Sequence, residues 1–287
     1  MGKIHDALQR AETLRRGGNE IPSAEPPALE IGSPAPLEPA PAARGWLARR
    51  KAKAKSKVAH KAPPARANDS PLLRGVDSPY SEEYRTLRAR IQSLRRTREL
   101  RSIVVTSTRP SEGKTTTAVN LALSFGLERE NSVCLVDADL RTPRVHKAFA
   151  SGGIVGLAEV LEGDAKLEEA LIAIPDTRLM VLSVKALPTA PSELLSSRAM
   201  TELVAELHTR FHTVIFDAPP VLGLPDTVTL VDHCDSALFV VGAGRAPREE
   251  VESALERLDA SKVIGVVLNR CEKHEIGYIG AYGYGKS

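Results

Sequence analysis

Aromatic residues are scarce in this chain. They fill 4% of its 287 positions, with one tryptophan and five tyrosines. Hydrophobic content is nonetheless 42%, so a core of ordinary size is expected, built mainly from aliphatic side chains. Cysteine is nearly absent: Cys134, Cys234 and Cys271 show no metal or redox spacing, which excludes a disulfide-built secreted domain and fits ordinary buried thiols in a reducing compartment. No apolar run reaches the length of a membrane-crossing helix, and no secretory leader pattern opens the chain. The expected setting is therefore cytoplasmic, with any membrane role exerted from the periphery through surface contact or a partner.

Two further absences are local. Acidic residues are missing from Arg44 to Arg66, where nine Lys or Arg occur, although the whole chain is only +3. One aromatic, Trp46, stands near its start and none interleaves with the later cations for base stacking, so nucleic acid is the weakest reading. A solvated linker with weak attraction to anionic lipid is preferred. Tyrosine is missing between Tyr84 and Tyr278, yet Tyr278, Tyr282 and Tyr284 fall within the closing stretch GYIGAYGYGKS. Glycine packs nothing and costs backbone entropy to order, so residues 275–287 read as a flexible tail that presents phenol hydroxyls.

Residues 1–18 space Ile4, Leu8, Ala11 and Leu14 as a short amphipathic helix. Residues 19–77 are a linker, Pro-rich and then basic, which cannot bury a core. Order is expected over 78–274. A helix capped by Ser78 places Tyr84, Leu87, Ile91 and Leu94 on one face. Apolar strands then alternate with helices: strands over 102–107, 132–139, 179–184, 213–217, 236–242 and 262–269, helices over about 114–127, 192–209 and 247–258. Short, wholly apolar strands between helices predict an α/β fold with a doubly wound, mostly parallel sheet, and ligands at the carboxyl ends of its strands.

The motif TRPSEGKT, Thr108 to Thr115, follows the first strand and opens a helix. It fills the P-loop pattern except that Thr108 replaces the first glycine. Loop amides and the helix N-terminus would face phosphates, which assigns Ser111, Glu112, Gly113, Lys114, Thr115 and Thr116 to an ATP site. Lys114 would reach the β/γ oxygens, and Thr115 would offer a hydroxyl to Mg²⁺. Two more strands end in carboxylates, VCLVDADLR with Asp137 and Asp139 and TVIFDAPP with Asp217. Oxygen ligands at neighbouring strand ends, opposite a P-loop, suit a hard cation.

These motifs, with DADLRTPRVHKAF, GLAEVLEG, LPTAPSELLSS, FDAPPVLGLPD, GVVLNR and the tyrosine-rich end, resemble the bacterial tyrosine kinases of capsule and exopolysaccharide loci, a P-loop group related to MinD and ParA. The resemblance covers about residue 78 onward. The opening MGKIHDALQRA is similar to the start of tyrosine autokinases in exosortase-associated loci. The resemblance implies an autokinase that phosphorylates Tyr278, Tyr282 and Tyr284 in trans. It implies Asp137 as the base, Asp139 and Asp217 as organisers of Mg²⁺, and Asn269 on the adenine. Glu82, Arg85 and Arg88 would contact a neighbouring subunit in a homo-oligomer, and the activator would be a membrane-bound chain-length-determinant protein. MinD and ParA carry a signature lysine where this chain has Arg109. The competing expectation is a MinD/ParA-like positioning ATPase, a nucleotide-switched binding module.

Overall fold

The computed structural model describes residues 81–149, 154–223 and 225–271. The expected N-terminal helix, the linker, Ser78 and the three tail tyrosines lie outside the described residues.

The elements run, in chain order, α1 (Ser81–Leu94), β1 (Ser102–Ser107), α2 (Lys114–Gly126), β2 (Val133–Asp137), α3 (Val145–Phe149), α4 (Leu157–Glu162), α5 (Leu167–Ala170), β3 (Leu171–Ala173), β4 (Leu179–Leu182), α6 (Pro191–Leu195), α7 (Arg198–Arg210), β5 (Thr213–Asp217), α8 (Asp226–His233), β6 (Ser236–Gly242), α9 (Arg248–Glu256) and β7 (Val263–Asn269). The sheet order is β3-β4-β2-β5-β1-β6-β7. All neighbours are parallel except β3, which runs antiparallel to β4. The expected doubly wound α/β fold is therefore present.

The apolar strands are buried on both faces because successive side chains point to opposite sides of a sheet. In β1, Ile103 and Val105 join one core cluster and Val104 the other. The first cluster lies under α1, α2 and α3, and the second under α4 to α9. The aliphatic core is as expected, but the rare phenylalanines are all inside it: Phe125, Phe149, Phe211, Phe216 and Phe239 are each buried. Cys134 and Cys234 are free buried thiols. No helix among the described residues is long and apolar enough to cross a membrane.

Three local features depart from the sequence reading. The helix expected over about 192–209 is two helices. Ser196 leaves helical geometry and Ser197 takes an extended conformation, its side chain accepting from the Met200 amide to cap α7. The strand β3 and the short helices α3, α4, α5 and α8 were not anticipated, since three to eight residues carry too little periodicity to read. Last, β7 is half-exposed along its whole length, as an edge strand with a neighbour on one side only.

Candidate active site

Strand β1 lies between β5 and β6, and β2 lies beyond β5. The chain thus reverses direction across the sheet at β1, which opens a crevice at the carboxyl ends of the strands. The P-loop leaves β1 there and enters α2 at Lys114. Asp137 ends β2 and Asp217 ends β5, directly opposite each other in register.

Two residues of the loop adopt left-handed backbone, Ser111 at φ 67° and Gly113 at φ 103°. Gly113 is also packed tightly: a Cβ there would sit 1.8 Å from Asn269 Nδ2. That same Nδ2 donates to the Glu112 carbonyl at 2.9 Å. The Glu112 carboxylate is fully buried and accepts from the Arg109 amide (2.7 Å) and the Gly242 amide at the end of β6 (3.2 Å). Burial raises its pKa, and the amides of Arg109, Gly242 and Thr108 act the other way. The Glu112 side chain and Asn269 thus brace the loop from beneath, on the β6–β7 side. The sequence assigns the Glu112 backbone amide to the phosphates, and the resemblance assigns Asn269 to adenine; the structure adds the role of both side chains beneath the loop. Replacing Gly113 with alanine should therefore lower nucleotide affinity by about tenfold or more, since left-handed backbone with a Cβ costs roughly 1–2 kcal/mol before the clash is counted. Titration with a fluorescent ADP analogue measures this.

Lys114 is almost fully buried and spans two carboxylates, 2.7 Å from Asp139 Oδ2 and 3.6 Å from Asp217 Oδ1. Burial works against its charge. Asp217, Asp139 and Asp137 outweigh that effect and hold the ammonium above its ordinary pKa. Asp139 is fixed by Thr142, whose amide and hydroxyl reach Oδ1 at 3.0 and 3.1 Å. Burial alone would raise Asp139, but Lys114 and Thr142 leave it lowered. Asp137 Oδ2 accepts from the amides of Arg144 (3.0 Å) and Val145 (2.9 Å) at the start of α3. Its other oxygen has no partner among the described residues, while the Asp217 carboxylate is met by the Lys114 ammonium and the Thr115 hydroxyl without a short hydrogen bond to either oxygen. Desolvation, then repulsion from Asp217, pushes Asp137 up to about 8. Asp217 is raised as well, chiefly by burial, against the pull of Lys114.

The structure brings Lys114, Thr115, Asp137, Asp139 and Asp217 together as the motifs required. Ser111 is exposed on the loop and Thr116 is half-buried in the first turn of α2. The Glu82, Arg85 and Arg88 triplet is divided. Glu82 and Arg85 pair with each other at 3.2 Å on the exposed side of α1. Arg88 turns inward, donating to the Ser124 carbonyl and pairing with Glu128 at 3.1 Å, and so ties α1 to α2. Arg109 reaches α9, 2.5 Å from Glu250 Oε1. Thr142 was missed, although an Asp followed three residues later by Thr is a readable turn pattern.

Excess buried carboxylate around a P-loop lysine defines a P-loop nucleotide-binding enzyme. Comparison with known proteins agrees. A family model described as an AAA domain matches residues 100–260. Tyrosine-protein kinase YwqD of Bacillus subtilis is 40% identical over 205 residues, covering 70% of this chain and 86% of that protein. Tyrosine-protein kinase CpsD of Streptococcus agalactiae is 34% identical, covering 66% of this chain and 83% of that protein. Among solved structures, the chimerical protein CapA2B2 superposes with a TM-score of 0.65 at 33% identity, covering 69% of this chain and 87% of that one. The chain belongs to the bacterial tyrosine-protein kinases. It is accordingly a protein-tyrosine kinase rather than a positioning ATPase.

Proposed function

We propose that this kinase uses Mg·ATP to phosphorylate Tyr278, Tyr282 and Tyr284 of a second copy of itself, and so regulates assembly or export of a capsular or exopolysaccharide. The observation that carries the site chemistry is the convergence of Asp137, Asp139 and Asp217 on the single ammonium of Lys114. Three carboxylates against one cation leave room for a divalent ion, and the unpartnered oxygen of Asp137 and the Asp217 carboxylate, which has no short hydrogen bond, fit one. Among the described residues no three acidic, His or Cys side chains could hold a metal by themselves. Phosphate oxygens and water would complete its shell, as Mg²⁺ prefers. Thr115, Asp139 and Asp217 are the proposed ligands, directly or through water. Bound Mg²⁺ would supply charge neutralisation on the β- and γ-phosphates.

The protein's own groups do the rest. Lys114 leaves Asp139 to hold phosphate oxygens. Loop amides around Ser111, Gly113, Thr115 and Thr116 line the phosphates. Asn269 has one amide hydrogen not used on Glu112, and its carbonyl, to offer adenine. Asp137 takes the phenol proton. A tyrosine hydroxyl has an ordinary pKa of about 10, so its proton needs a base held within reach, and the Asp137 oxygen left without a partner is the proposed one.

The tail reading rests on sequence. Eleven residues from Gly277 extend up to about 3.3 Å each, enough to reach another subunit's crevice. Exposed Glu82 and Arg85 are the proposed contacts in the oligomer, while Arg88 positions their helix. A membrane-bound chain-length-determinant protein is the proposed activator, holding the kinase at the inner face of the membrane.

Peptide mass spectrometry after incubation with Mg-ATP, with and without an activator segment, tests this. Wild type should carry phosphate on the tail, and Tyr278/Tyr282/Tyr284→Phe should lose nearly all of it. Turnover of ATP with no phosphate added to any tyrosine would leave a nucleotide switch instead.

A further inference from the structure

A second set of ties holds the opposite side of the crevice from the Glu112–Asn269 brace. Arg141 lies two residues beyond Asp139, and its Nε meets Asp226 Oδ2 at 3.0 Å. Its Nη2 donates to Ser192 Oγ at 2.9 Å, and that hydroxyl donates to Asp226 Oδ1 at 2.5 Å. Asp226 is 2% exposed, so its carboxylate is committed to these two partners. The three residues come from three strand-end segments: the loop after β2, the start of α6 after β4, and the start of α8 after β5. Those strands are neighbours, in the order β4-β2-β5.

Each segment governs a part of the site. The loop after β2 carries Asp139 and Thr142, and its residues 144 and 145 hold Asp137. The segment after β5 follows directly on Asp217, the last residue of that strand, and is held at the Pro219 carbonyl by the hydroxyls of Thr106 (2.7 Å) and Thr227 (2.6 Å). Arg141 to Asp226 is thus the side-chain link between the loop that aims Asp137 and Asp139 and the segment that aims Asp217. It lies away from β6 and β7, where the loop brace and Asn269 sit.

We propose that Arg141, Ser192 and Asp226 form a positioning latch that sets the carboxylates against the incoming tyrosine, so that breaking it diverts the γ-phosphoryl group from tyrosine to water. The latch rests on the autokinase reading above. In both outcomes the bond from the γ-phosphorus to the β,γ-bridging oxygen of ATP breaks and ADP leaves. The new bond forms to the tyrosine oxygen when that atom is held in line, or to a water oxygen when it is not. In each case the acceptor's proton passes to a carboxylate. Positioning of this kind acts on the partition between acceptors, because a misplacement of about 1 Å costs a near-attack geometry on the order of 100-fold.

The test measures tail phosphotyrosine and free phosphate in one reaction, using full-length wild type, Arg141→Lys, Ser192→Ala and Ser192→Thr. Lysine keeps the charge but lacks the planar fork that meets both partners. The ratio of transfer to hydrolysis should fall about tenfold in Arg141→Lys and about threefold in Ser192→Ala, and return to within about twofold of wild type in Ser192→Thr. Thermal melting checks folding. Should Arg141→Lys fail to fold, the Ser192 pair decides alone. An unchanged ratio, or transfer and hydrolysis falling in step, overturns the latch. Wild type that hydrolyses ATP without making phosphotyrosine, with activator present, overturns the autokinase reading and the latch with it.

Discussion

Lys114→Met is expected to cut tyrosine phosphorylation by at least about 100-fold, the loss typical when a preorganised charge is removed from a developing transition state. The reason is geometric as well as electrostatic. Lys114 is the only cation among the side chains shown around Asp137, Asp139 and Asp217, and it is nearly buried. Methionine fills similar volume without charge, so the fold is retained while the phosphates lose their cation. It also leaves three buried carboxylates without a counterion, which adds a second signature: the nucleotide-free variant should melt at a lower temperature than wild type at pH 7 and recover toward it as the carboxylates are protonated at lower pH. Phosphotyrosine mass spectrometry and melting curves at two pH values read the two effects together. Retention of more than a tenth of wild-type phosphorylation would remove Lys114 from the chemistry.

Asp217→Asn is expected to do the reverse to stability while still abolishing transfer. Asp217 is fully buried and faces Asp137 and Asp139, and the pull of Lys114, 3.6 Å from Oδ1, and of the Thr115 hydroxyl does not offset its burial. Asparagine removes the charge whose burial raises the Asp217 pKa, so the variant should melt higher than wild type at neutral pH, by about 2–4 °C for each kcal/mol of that cost in a domain of this size. A carboxyl whose folded pKa is raised stabilises the fold when protonated. That contribution is complete below the ordinary value near 4 and is lost as pH rises through the folded value. Asparagine cannot ionise, so the variant's advantage should be small near pH 4 and grow on the way to pH 8, where Asp137 also titrates. Transfer should meanwhile fall by about 100-fold or more, as for other charge-organising residues. A variant less stable than wild type across that range would mean the Lys114 contact outweighs the burial.

Much of this site was legible because its parts are short and contiguous. GKT after an apolar strand, and aspartates ending two others, can be read one segment at a time, and the sheet order then brings them together. What could not be read depends on pairing across long separations. Arg141 and Asp226 are 85 positions apart, and nothing in either segment names the other. Glu112 belongs to the phosphate loop through its backbone, between Ser111 and Gly113, but the place of its side chain is not written in that segment. Its side chain turns inward because the Gly242 amide, 130 positions away, needs an acceptor there. Arg88 is set at a subunit contact by the family resemblance, and its ties within the subunit, to Glu128 and to the Ser124 carbonyl at the end of α2, again join residues far apart in sequence. The break at Ser197 was visible in principle: a serine followed by a fresh amphipathic run is an N-cap, and the continuous helical pattern obscured it.

The contact between Lys114 and Asp139 also ties together two arrivals. While the two hold each other, the lysine is not free for phosphate and the carboxylate is not free for a cation. A nucleotide that draws Lys114 away releases Asp139. A cation that occupies the carboxylates releases Lys114. Thermodynamic linkage makes the benefit mutual and equal. ATP and the divalent ion should therefore enter as a cooperative pair, and neither alone should bind as tightly as its visible ligands would imply.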